Sequence, residues 1–184
     1  MPFTFKPYGG LDGLLVVEGP FFPDERGYFF EAFRADEWAK AGLPPLVQDN
    51  LSRSKKGVVR GLHYQVPPQA IGKLVRCARG RIFDAVVDLR RASPTYGRSA
   101  AIELDDTGNR MFWVPAGFAH GFCALSETAD VTYKVTGYWS KAVDAGIRWN
   151  DPALGIQWPV SAAEAVVTAK DAALPLLADA ASPF

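Results

Sequence analysis

The chain has 184 residues, 48% apolar and 12% aromatic, with 17 glycines, 14 prolines and a formal net charge of zero. That is enough chain for one domain, residues 1–184, with a real core, and the glycine- and proline-rich mixture suits a turn-rich β protein better than a helical one. Zero net charge excludes a global basic field for nucleic acid, so any anion must be met by a local cluster of cations. No apolar run approaches membrane-spanning length, and no apolar h-region follows the start Met1-Pro-Phe-Thr-Phe-Lys6. Cys77 and Cys123 have neither metal nor redox spacing and read as buried free thiols of a reducing compartment. The expectation is a soluble, cytoplasmic protein with no nucleic-acid or membrane partner.

Taken in order, Leu14–Val17 and Tyr28–Phe33 read as strands around the turn Pro23-Asp-Glu-Arg26-Gly27. Ala35–Ala41 predicts a short helix, with Gly42 as its C-terminal stop and Pro44-Pro45 behind it. Val47–Ser54 alternates, placing Gln48, Asn50, Ser52 and Ser54 on one face and Val47 and Leu51 on the other. Strand signals continue over Val58–Gln65, Lys73–Ala78, Arg81–Leu89, Ser99–Leu104, Met111–Val114, Gly121–Leu125 and Val131–Trp139. Short, evenly spaced strands divided by turns such as Asp105–Asn109 and Pro115-Ala-Gly117 predict a sandwich or barrel of the jelly-roll kind. In the tail, Ser161 to Glu164 has capping-box spacing, but Val166-Val-Thr168 opposes a helix there. Asp171 is the expected N-cap of a short turn that Pro175 ends.

The chemistry concentrates in Gly57–Arg81, where His63, Arg60, Arg76 and Lys73 interrupt apolar strands. Charged groups in half-buried strands must face water, partners or a ligand, and cations beside an imidazole suggest an anion pocket with a proton-transfer group. Arg60 and His63 are three apart, so a regular strand sends them to opposite faces; a bulge at Gly61 would re-aim one of them. Tyr133 and Trp139 are six apart and share a face in an uninterrupted strand, the face expected to line the pocket. His63 is either a structural hydrogen-bonding residue or a base. His120, after the Pro115–Gly117 turn, is either bonded to a loop carbonyl or part of the pocket. Gln65 stands where a His-x-His metal pair would need its second histidine, and two histidines without a carboxylate at ligand spacing make a weak metal site. No phosphate-cradling glycine motif occurs, so a diphosphate would fall to arginine forks.

These residues resemble one family nearly end to end. Asp24-Glu-Arg26-Gly-Tyr-Phe-Phe-Glu31, Gln48-Asp-Asn50-Leu-Ser-Arg-Ser54, Gly57-Val-Val-Arg60-Gly-Leu-His63-Tyr-Gln65 and Lys73-Leu-Val-Arg76 are similar to stretches of the dTDP-4-dehydrorhamnose 3,5-epimerases. So are Val87-Asp88-Leu-Arg90, Ser93–Gly97, Trp113–Phe122, Tyr133-Lys134, Trp149-Asn-Asp-Pro152 and Lys170-Asp171. The resemblance implies a mainly β, double-stranded β-helix (a cupin-like jelly roll) with a few short helices near residues 35–41 and in the C-terminal segment. It implies epimerisation of a dTDP-4-keto-6-deoxyhexose at C3 and C5, the carbons that flank the ketone, without cofactor or metal.

By the same resemblance His63 is the base, Asp171 the carboxylate that orients it, Lys73 the cation near the developing enolate oxygen, and Tyr133 the acid on the opposite face. The resemblance assigns Arg26 and Arg60 to the diphosphate region, and Glu31, Gln48 and Asn50 to the thymidine and nearby groups. It assigns His120 to the sugar–phosphate part and implies binding roles for Lys73 and Lys170. Trp139 stands where the family often has a base-stacking Tyr, and Asp144 where it often has Glu. A homodimer with strands shared across the interface is also implied. A 3-epimerase, a ketoisomerase, a non-catalytic nucleotide-sugar-binding module and a metal cupin are the alternatives.

Overall fold

The computed structural model describes residues 2–180 and 182–184. In chain order its strands are β1 (Thr4–Pro7), β2 (Leu15–Glu18), β3 (Phe21–Asp24), β4 (Gly27–Phe30), β5 (Gln48–Lys55), β6 (Val59–Gln65), β7 (Lys73–Arg79), β8 (Arg81–Asp88), β9 (Ser99–Asp105), β10 (Arg110–Val114), β11 (Phe118–Ala124), β12 (Thr128–Val135) and β13 (Asp144–Gly146). Helix α1 (Ala35–Lys40) lies between β4 and β5, and α2 (Ala169–Ala172) near the C-terminus. Two sheets form, a six-stranded one in the order β1-β2-β10-β7-β12-β5 and a five-stranded one in the order β13-β6-β11-β8-β9. All named strand pairings are antiparallel, and the fold is the expected cupin-like jelly roll.

The sheets close over a core of Leu14, Val75, Ile82, Val86, Leu104, Phe112, Phe122 and Val131, all buried. All but Leu14, which directly precedes β2, come from strands, and each fully buried aliphatic or aromatic side chain contributes about 1.5–3 kcal/mol. Helix α1 buries Trp38, whose indole Nε1–H donates to Pro44 O, 2.7 Å, and which packs edge-on against Trp113. Cys77 and Cys123 are buried free thiols, both pushed up to about 11 by burial. Among the described residues no helix is long and apolar enough to cross a membrane.

Three expectations change. The strand expected from Gly121 begins at Phe118, so His120 lies in mid-strand rather than in a loop. The strand expected to run to Trp139 ends at Val135, and residues 136–140 leave the sheet. Asp171 does not cap α2: Thr168 is the N-cap, its Oγ1 accepting from Asp171 N at 3.1 Å, and Asp171 sits inside the turn. Glu164 accepts from Ser161 N and from Ser161 Oγ, which makes only half of a capping box, no helix follows, and Val166 instead forms a parallel bridge to Val58. Strands β1, β3 and β13 gave no separate signal. Each is four residues or fewer, too short for a period-two pattern to stand out.

Strands β3 and β4 form a hairpin that pairs with neither main sheet. It projects Phe22, Tyr28 and Phe29 into solvent, with Phe29 67% exposed.

Candidate active site

Gly61 makes the site possible. In the β6–β11 pairing His120 faces His63 while Phe122 faces Arg60, so β6 carries one residue more than β11 over this stretch. The bulge falls at Gly61, where φ is +127° and an added Cβ would lie 2.6 Å from Gly121 Cα. Only glycine meets both demands. The extra residue cancels the odd spacing, and Arg60 and His63 both line one cavity.

The cavity, about 400 Å³, opens between the sheets. The six-stranded sheet contributes Asn50, Ser52, Lys73, Tyr133 and Val135; the five-stranded sheet contributes Arg60, His63, Tyr64, Gln65, His120 and Asp144. Trp139 comes from the segment after β12, and Thr168, Lys170 and Asp171 come from the C-terminal turn. On β5 Gln48, Asn50, Ser52 and Ser54 point inward, while Leu51, 66% exposed, points out with Asp49, Arg53 and Lys55. That inversion of the usual pattern arises because β5 lines a wet cavity rather than the core. Ser52 Oγ is buried and has no partner among the described residues.

His63 Nε2 lies 2.8 Å from Asp171 Oδ1. An ionised carboxylate only accepts, so Nε2 carries the proton and Nδ1 is the free basic nitrogen. Burial opposes ionisation of Asp171, but the hydrogen bond and charge of His63 and the Gly61 N–H outweigh it and hold the carboxyl below its ordinary value. The imidazole remains 31% exposed, open to the cavity.

His120, its register partner on β11, is paired differently. Its Nε2 is 3.0 and 2.9 Å from the two oxygens of Asp84, which is fully buried on β8. Burial lowers the His120 pKa, and Asp84 opposes the shift. Lys73 Nζ donates to His63 O, 3.2 Å. Burial pushes this ammonium down to about 8, against the pull of Asp84 and Asp144, so it remains mostly charged at neutral pH. Burial raises Tyr133, against the nearby Arg60 charge, which keeps it a neutral phenol and proton donor. At the rim, Lys170 Nζ donates to Asp144 Oδ2, 2.5 Å, and Arg60 Nε donates to Ser54 Oγ, 3.0 Å.

Ten of the sequence-predicted residues therefore converge: Asn50, Arg60, His63, Lys73, His120, Tyr133, Trp139, Asp144, Lys170 and Asp171. Three do not line the cavity. Arg26, at the tip of the β3–β4 hairpin, is bound to Asp24 at 2.5 Å. Glu31 follows that hairpin and lies near Arg34, 3.9 Å. Gln48 bonds Asn50 and the backbone N–H of Trp139. Sequence reasoning missed Ser52, Tyr64, Gln65, Ile71 and Thr168 as lining residues and Asp84 as a partner. Ser52 could have been taken from the polar face of β5. Asp84 could not, because its link to His120 depends on the β8–β11 pairing.

A cupin-like jelly roll that encloses a carboxylate-oriented histidine, a buried ammonium and a protonated tyrosine has the groups for acid–base chemistry beside a carbonyl. The comparisons name the family more narrowly. A family model described as dTDP-4-dehydrorhamnose 3,5-epimerase matches residues 9–179. The dTDP-4-dehydrorhamnose 3,5-epimerase of Salmonella typhimurium is 47% identical over 169 residues, 91% of this chain and 92% of its own. The crystal structure of a dTDP-6-deoxy-D-glucose-3,5-epimerase from Legionella pneumophila, in complex with dTDP-4-keto-L-rhamnose, superposes with a TM-score of 0.90 at 42% identity, covering 96% of this chain and 94% of that one. A dTDP-4-dehydrorhamnose 3-epimerase of Streptomyces niveus is 41% identical over 152 residues, 82% of this chain and 73% of its own. The chain belongs to the dTDP-4-dehydrorhamnose 3,5-epimerase family.

Proposed function

We propose that this protein is an isomerase that inverts C3 and C5 of dTDP-4-keto-6-deoxy-D-glucose by proton abstraction beside the ketone. One observation carries the reading: His63, 2.8 Å from Asp171, and Tyr133 stand on opposite sheets of one cavity that also holds the Lys73 ammonium. His63 Nδ1 takes the proton from the carbon next to the carbonyl. The C–H electrons form a carbon–carbon double bond, and the carbonyl oxygen becomes an enolate oxygen beside Lys73. Tyr133 then returns a proton to the other face of that carbon. The enolate collapses to the ketone with inverted configuration, and both side chains exchange protons with water to reset. A base without a nearby cation would fail, because the enolate charge must be met as it develops.

In this reading the nucleotide half lies towards Asn50, Arg60 and Trp139, with the thymine on the Trp139 indole. Arg26 and Glu31 belong to a second copy's cavity in a homodimer. The unpaired hairpin and its exposed Phe22, Tyr28 and Phe29 support that arrangement, since such side chains are covered when a hairpin packs on another chain. Inactive Arg26→Ala and His63→Ala chains, co-expressed as a mixed dimer, should regain activity at one site; no recovery rules out sharing.

The deciding experiment is proton NMR with dTDP-4-keto-6-deoxyglucose in deuterated water. Deuterium at both C3 and C5 is expected. Deuterium at C3 alone selects the second reading, a 3-epimerase, which the Streptomyces niveus relative favours. Absence of exchange with retained dTDP binding rejects catalysis on this substrate.

A further inference from the structure

Trp139 is 56% exposed at the cavity rim, on a segment outside both sheets, yet its backbone is held tightly. Gln65, 2% exposed on β6, accepts from Ser140 N at 2.7 Å through Oε1 and donates through Nε2 to Gln69 O at 2.8 Å and Tyr138 O at 3.3 Å. Gln48, on β5 of the other sheet, accepts from Trp139 N at 3.2 Å, while its own Nε2 donates to Asn50 Oδ1 at 2.8 Å. Three consecutive residues, 138 to 140, are thus held by two glutamine amides that reach in from opposite sheets. The orientation of the Gln65 amide is set by its partners, two carbonyls on one side and an N–H on the other. A carboxylate at this position would keep the Ser140 bond and lose both donors.

We propose that Gln65, with Gln48 as its counterpart, is a positioning residue for nucleotide affinity: the two amides fix where the Trp139 indole stands, so that it offers a preformed stacking face at the cavity mouth. This rests on the reading that Trp139 stacks on the nucleobase. A platform on a strap without strand pairing would otherwise be ordered at the moment of binding, and that cost would come out of the affinity. Gln65 is two residues from His63 on the same strand, so the alternative is that its amide serves the base. The two roles separate in the kinetics. A clamp on the indole changes KM and the affinity for the nucleotide; a support for the base changes kcat.

The test compares Gln65→Glu, the isosteric Gln65→Met, Gln48→Leu, Trp139→Ala and the Gln65→Glu/Trp139→Ala double variant. It reads dTDP binding by calorimetry together with KM, kcat and solvent exchange at saturation. A stacked base is worth about tenfold or more in affinity, so Gln65→Glu and Gln65→Met should each raise the dTDP Kd and the KM by about tenfold, with kcat within about twofold. Gln48→Leu should have a smaller effect of the same kind. Added to Trp139→Ala, Gln65→Glu should cost less than about twofold more, since the group it positions is gone. Comparable thermal unfolding of the two Gln65 variants and the parent separates the effect from loss of fold. A fall in kcat at unchanged KM, or fully additive losses in the double variant, overturns the proposal. If Trp139→Ala weakens dTDP binding and neither Gln65 variant does, the clamp alone is refuted. If Trp139→Ala leaves dTDP binding intact, the stacking reading itself falls.

Discussion

The cavity is lined by two histidines on neighbouring strands and in register, each bonded to a carboxylate but at a different depth. His63 with Asp171 and His120 with Asp84 are both Nε2-to-carboxylate pairs near 3 Å. The His63 ring is 31% exposed and its carboxylate comes from a four-residue helix near the C-terminus; the His120 ring is 8% exposed and its carboxylate comes from a central strand. A ring that must take up and release a proton needs a free nitrogen facing substrate and water. A sealed ring, with its pKa lowered by burial, presents a fixed hydrogen bond instead. Depth, rather than residue type, separates a group suited to move protons from one suited to hold a shape.

If that division is correct, the largest effect on activity belongs to the outer pair. His63→Ala should reduce solvent exchange at saturation by about 10²–10⁴-fold while dTDP still binds, and Asp171→Asn should lose about 10²-fold by leaving the imidazole in the wrong tautomer. Exchange that survives His63→Ala would break the comparison. The largest effect on stability belongs to the inner pair. Removing one partner of a buried pair costs about 3–5 kcal/mol, so Asp84→Ala should lower the unfolding midpoint strongly in a denaturant titration. Asp171→Ala should cost about 1–2 kcal/mol, because the exposed His63 can turn to water.

Lys73, bonded to His63 O and within the field of Asp84, should set the alkaline limb. Its folded pKa is depressed to about 8, so the cation is complete well below pH 8 and is lost as pH rises through that value. The rate kcat/KM should fall about tenfold per pH unit above it, and Lys73→Arg should push that limb to higher pH. The smallest effect concerns the outer pair's support. Thr168→Ala removes the cap over Asp171 N and should cost about 1 kcal/mol of stability, with a severalfold fall in kcat and no change in the His120 side of the site.

Turn and strand chemistry is local, and much of this protein was legible from it. Glycine at position 61 announced a bulge because only glycine fits the positive φ and the 2.6 Å approach to Gly121. The family resemblance, rather than local chemistry, joined His63, Lys73, Tyr133 and Asp171 as one site, and one cavity does contain them. Trp139 was expected on the cavity face for the wrong reason. The strand stops at Val135, and two glutamine amides, rather than strand pairing, bond the backbone of residues 138–140.

By itself the sequence determined the class of fold, the bulge that brings Arg60 and His63 to one face, and the chemical types gathered there. Those depend on steric and hydrogen-bonding preferences that act over a few residues. Only the tertiary structure decided that Asp84 is the carboxylate His120 receives, whereas the pairing of Asp171 with His63 was implied by the family resemblance. Asp171 is 108 positions from His63 and Asp84 is 36 from His120, and no short-range pattern carries either pairing. It also decided that the polar face of β5 is the inner one and that Arg26 and Glu31 stand outside their own chain's cavity. Such assignments follow from sheet register and from the closing of one sheet over the other, which the whole chain sets at once.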